Sequence, residues 1–129
     1  MAETLNAELV KEFVSNAHGN FEKVKELLDN EPGLLNAAWD WGGGDWETAL
    51  GAASHMGRKD IALYLLERGA RIDLFSAAML GKLEIVRSML SDNPKLKDAL
   101  GPHTIPLMQH AKAGGDEAKA VVDFLETLG

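Results

Sequence analysis

Cysteine is absent from the 129 residues. That excludes a disulfide framework and any thiolate metal site, and leaves stability to packing alone. Basic residues are scarce as well, with 13 Lys and Arg against 20 Asp and Glu, a formal charge of -7. This sign opposes the counterion release that drives binding to phosphate backbones, so no nucleic-acid partner is expected. No apolar run approaches membrane-spanning length. The opening segment, MAETLNAELVKEFV, carries acids where a signal peptide has a basic start. The expectation is a soluble cytoplasmic protein without a membrane partner.

Active-site motifs are missing too. The triplet Gly42 to Gly44 is followed by Asp45, where a phosphate-binding loop needs lysine and a hydroxyl residue. Ser15, Ser54, Ser76, Ser88 and Ser91 lack a nucleophile-elbow context. There is no HExxH and no pair of histidines one helical turn apart, so a zinc site would have to be assembled from separated segments. Neither metal nor cofactor is expected, and no catalytic residue is assigned.

What the chain does have is an internal repeat, within a length that suits one domain spanning residues 1–129. Four segments place a glycine eight to ten residues before a pair of large apolar residues: GNFEKVKELL from Gly19, GRKDIALYLL from Gly57, GKLEIVRSML from Gly81 and GDEAKAVVDFL from Gly115. Apolar positions such as Ile61, Ala62, Leu65 and Leu66 recur at helical spacing and make one buried stripe. Small residues, Ala52, Ala53, Ala77 and Ala78, precede two of the glycines and permit close helix approach. Each glycine allows a left-handed turn between two helices. The pattern predicts helix pairs over 6–18 with 20–30, 48–56 with 58–68, 74–80 with 82–92 and 105–113 with 116–128. Pro32 and Pro94 mark helix ends, and Leu34 and Leu96 are expected to anchor the returning chain.

The second unit, ETALGAASHMGRKDIALYLLERGARID, resembles the ankyrin pattern that begins T-P-L-H-x-A and ends L-L-x-x-G-A. Thr48, Leu50, Ala53, Gly57, Ile61, Leu65, Leu66, Gly69 and Ala70 carry the match. The fourth opens similarly as IPLMQHAKAG, with His110 where alanine is usual. The resemblance covers about nine-tenths of the chain, and the terminal units depart most, as capping repeats do. It implies an all-α ankyrin solenoid of about four helix-turn-helix units with hairpin fingers, similar to short bacterial ankyrin-repeat proteins. Unit glycines are spaced 38, 24 and 33 residues apart, from Gly19 to Gly57, Gly81 and Gly114. Against a 33-residue repeat, the first finger, WDWGGGDW, is enlarged and the finger between repeats two and three is shortened.

The resemblance implies a non-catalytic protein-binding module, without cofactor, acting through a concave groove over 37–47, 51–56, 75–80 and 97–104. Candidate binding residues are Trp39, Asp40, Trp41, Asp45, Trp46, His55 and His103. All three tryptophans lie in the first finger. They can cover helix ends left bare by the shortened finger, or an indole can wall the notch and stack on a sugar, a flat ring or a cation. His55, His103 and His110 are candidates to face one groove, whereas His18, before a helix-joining glycine, is expected to be merely exposed. Asp40, Asp45 and Glu47, opposite His55 and His103, allow a second function: a small-molecule binder or minor acid-base enzyme using the notch. Turn fixing by these acids is the competing role.

Overall fold

Each glycine that punctuates the sequence separates the two helices of a pair. The computed structural model describes residues 3–129, with α1 (Ala7–Asn16), α2 (Phe21–Asn30), β1 (Ala38–Asp40), β2 (Trp46–Thr48), α3 (Ala49–His55), α4 (Lys59–Glu67), α5 (Leu74–Met79), α6 (Leu83–Asp92), α7 (Leu107–Ala113) and α8 (Lys119–Thr127) in order. The fold is thus mostly helical, with one small sheet. Helix ends fall within one to three residues of the sequence-based bounds. The largest difference is at α8, where a 3-10 turn over Gly115–Ala118 precedes the helix and no side chain caps its start.

Side-chain caps account for where other helices begin. Asn6 and Asn20 accept hydrogen bonds from the backbone amides of Leu9 and Lys23, and Thr48 from that of Gly51. Asp73 and Ser76 cap α5 reciprocally. Helices α2 and α6 stop before Pro32 and Pro94, each of which opens a 3-10 turn. Leu34 is fully buried as expected of an anchor, while Leu96 is only partly buried.

The apolar stripes build two adjoining cores. One joins Phe13, Val14, Val24, Leu28, Leu50, Ile61 and Leu65 from α1 to α4. The other joins Leu74, Val86, Leu90, Leu107, Val121 and Leu125 from α5 to α8. Ala52, Ala53, Ala77 and Ala78 are fully buried where helices meet. Among the described residues, no helix is long and apolar enough to cross a membrane.

The first finger is an antiparallel hairpin whose register pairs Ala38 with Thr48, Trp39 with Glu47 and Asp40 with Trp46. Its turn runs through Gly42, Gly43 and Gly44, all at positive φ, a conformation glycine adopts without Cβ strain. Asp40 fastens that turn, its Oδ1 accepting from the amides of Gly42 at 2.8 Å and Gly44 at 3.0 Å. No strand occurs between α4 and α5, where residues 68–73 connect the helices directly. A second finger precedes α7, closed by one bridge between Leu100 and Pro106.

Candidate functional site

Strand alternation sorts the first finger's side chains into two faces. Trp39 and Glu47, directly opposed in the register, share one face, while Asp40 and Trp46 share the other. Trp39 and Trp41 pack partly buried against the first core. Glu47 is buried beside them, its side chain 0% exposed, and Trp41 donates its indole N–H to Glu47 Oε1 at 2.9 Å. Trp46 points outward and is 61% exposed. Two of the three tryptophans thus pack against the first core and one stands free.

Three histidines converge on the buried carboxylate. Nε2 of His18 lies 3.2 Å from Glu47 Oε1, Nε2 of His55 lies 2.9 Å from Oε2, and Nε2 of His103 lies 3.4 Å from Oε2. His18 follows the C-terminus of α1, His55 ends α3 and His103 sits in the second finger. Four separated segments thus meet at one point, with one ligating atom from each of His18, Glu47, His55 and His103 all within 4.8 Å of one another. His55 Nε2 and Glu47 Oε2 are both buried, yet neither has an aligned hydrogen-bond partner despite their 2.9 Å separation.

Two of the imidazoles are held from behind. His18 Nδ1 faces the carbonyl oxygens of Val14 at 3.1 Å and Ser15 at 3.0 Å, the open acceptors at the end of α1. His103 is held twice by Asp45: its backbone amide donates to Oδ1 at 2.7 Å and its Nδ1 lies 2.7 Å from Oδ2. This contact ties the tips of the two fingers together across 58 residues. It also supports an unusual backbone, because His103 and Thr104 both have positive φ, 61° and 58°, a conformation L-residues adopt only at some cost.

Electrostatics follow from this arrangement. Burial pushes the Glu47 pKa up, but the close polar groups of His18, His55 and Trp41, with the nearby charge of His18, outweigh it and hold the carboxyl at about 2. His18 is raised above its ordinary value, chiefly by its hydrogen bond to Glu47, which overcomes partial burial.

Several sequence expectations change here. His18, expected to be merely exposed, is half-buried and belongs to the cluster. Nothing in the sequence marks it, because its position looks like an ordinary helix end. His110 does not face the groove. It is fully buried, its ring tilted against that of Phe75 at 4.8 Å, with Nδ1 on the Pro106 carbonyl, and burial lowers its pKa. Asp40 is engaged in its own turn. Glu47, one of the candidate acids, is carried inward by the same register that turns Trp39 inward.

Beside the cluster lies a cleft of about 350 Å³ between the fingers, lined by Asp45, Trp46, Asp73, Phe75, Leu100 and Pro102 among others. Leu100, on the second finger, is 59% exposed. Compared with protein-family models and with curated protein sequences, the chain matches none.

Proposed function

We propose that this chain is a non-catalytic binding module of ankyrin-repeat type, whose finger cleft takes a short segment of a protein partner. The observation that carries this reading is the pair Trp46 and Leu100. Among the described residues they are the two most exposed large apolar side chains, at 61% and 59%, and both line the cleft between the finger tips. Paired apolar side chains presented on rigid supports are the form a recognition hot spot takes. Asp45 and Asp73 lie in the same cleft, on a chain of net charge -7. The complementary segment is therefore apolar or aromatic with an adjacent Lys or Arg. The ankyrin reading is supported by four successive helix pairs separated by glycine, with fingers before α3 and α7.

Selection of a displayed peptide library tests this. Wild type is expected to enrich apolar peptides carrying Lys or Arg, and Trp46→Ala with Leu100→Asp to abolish that enrichment while helical circular dichroism is retained. Equal enrichment by both proteins would remove the cleft from the reading.

The second reading, acid-base chemistry on a small molecule, draws on the histidine cluster. A carboxylate held at about 2 is a poor proton acceptor near neutral pH, where a general base works best with a pKa close to the operating pH. Glu47 is better suited to bind positive charge than to shuttle protons.

A further inference from the structure

We propose that His18, His55, His103 and Glu47 bind one divalent first-row transition-metal ion, through three imidazole Nε2 atoms and one carboxylate. The argument begins with lone pairs. His18 Nδ1 faces two carbonyl oxygens and His103 Nδ1 faces a carboxylate oxygen. All these partners only accept, so both Nδ1 atoms carry the proton. With a single proton on each ring, bare Nε2 lone pairs would aim at Glu47, whose oxygens are themselves acceptors, at 3.2 and 3.4 Å. Acceptor facing acceptor is repulsive. Something positive must stand between them, either two additional protons or one dication.

Geometry favours the ion. Ligands around a metal with bonds of about 2.0–2.1 Å stand roughly 3.0–3.4 Å apart without hydrogen bonding to one another. The separations from Glu47 Oε2 to His55 and His103, 2.9 and 3.4 Å, fall in or next to that range, and His18 lies 3.2 Å from the other oxygen, Oε1. The closest pair, His55 Nε2 and Glu47 Oε2, is buried and lacks hydrogen-bond alignment. The widest ligand pair, up to 4.8 Å, has to close by roughly 1.4–1.8 Å to reach that range. His18 and His103 leave room for this, since their side chains are 27% and 33% exposed.

The backing of the ligands matches a metal site as well. Ligating histidines characteristically give their second ring N–H to a carbonyl or a carboxylate, which fixes tautomer and orientation. His18 does the first and His103 the second, through Asp45. Asp45 is therefore a positioning residue for the ion rather than a ligand. The donor set, three nitrogens and one oxygen without sulfur, suits zinc, iron(II), nickel or copper, and not magnesium or calcium, which take oxygen.

Zinc chloride and cobalt(II) chloride are the probes, titrated into the chelator-treated full chain by calorimetry and visible absorption. One ion per chain is expected, with cobalt giving d–d bands of a nitrogen-oxygen site. His18→Ala and His103→Ala, both changes at partly exposed positions, should each weaken zinc binding at least 30-fold while leaving helical circular dichroism intact. Asp45→Asn should weaken it roughly 10- to 100-fold with the stoichiometry unchanged. Failure of the folded wild type to take up either ion, or uptake unaffected by His18→Ala and His103→Ala, would overturn the proposal. Neither result bears on peptide binding by Trp46 and Leu100.

Discussion

Glu47 is the residue on which the candidate site turns. Its carboxylate is buried and surrounded by donors, so ionisation and folding are linked. Its folded pKa, about 2, lies below the ordinary 4.5, so the stability it contributes is present above about pH 4.5 and lost as pH falls toward 2. His18 has the opposite sign: its pKa is raised, so its contribution is full below 6.5 and lost as pH rises through the folded value. In metal-free protein the pair should therefore stabilise most between about pH 4.5 and 6.5. Urea midpoints measured from pH 2 to 9 are expected to show that maximum. Glu47→Gln should flatten both limbs and His18→Gln the alkaline limb. A wild-type profile no steeper than that of Glu47→Gln would contradict this account.

At the scale of elements, turns decide what the helices can present. Gly81 has φ of 72°, and a Cβ there would stand 2.2 Å from the Glu117 carbonyl oxygen. Gly81→Ala thus combines backbone strain with a clash, and should lower stability by about 2 kcal/mol or more. Thr104 shows the reverse case, a β-branched residue at φ 58°. Thr104→Gly should be neutral or stabilising by up to about 1 kcal/mol. Denaturant unfolding of the two variants checks both signs, and a stability loss in Thr104→Gly as large as that in Gly81→Ala would refute the strain argument. The same elements show how much the sequence disclosed. Helices were legible because Gly57, Gly81, Pro32 and Pro94 punctuate them and leucines recur at helical spacing. The finger was legible from its tryptophans and glycines. The cluster was legible only in pieces: His55, His103 and Glu47 were candidates, but periodicity carries no information on whether side chains from the turn after α1, β2, α3 and the second finger meet. His18 depends on a turn conformation that directs its Nδ1 to Val14 and Ser15, which no spacing in the sequence encodes.

For the whole molecule, the ligand set joins parts of the chain far apart in sequence. An ion held by His18, Glu47, His55 and His103 would bind the native chain and not the unfolded one, so it should stabilise folding by mass action. Zinc at about 100 times its dissociation constant is expected to add about 2.7 kcal/mol, read as a rise in thermal midpoint that a chelator reverses. An unchanged midpoint under saturating zinc would contradict a site that requires the folded structure. The rise should be much smaller in His103→Ala, which removes one of the four ligands while its backbone amide still reaches Asp45.

The Asp45 carboxylate occupies both of its oxygens in holding His103, and it also lines the finger cleft. A cationic group that entered the cleft and drew Asp45 away would loosen His103, and with it the ion. Thermodynamic reciprocity then fixes the magnitude: whatever factor the peptide takes from metal affinity, the metal takes from peptide affinity. One carboxylate would make the two occupants antagonists without their ever touching.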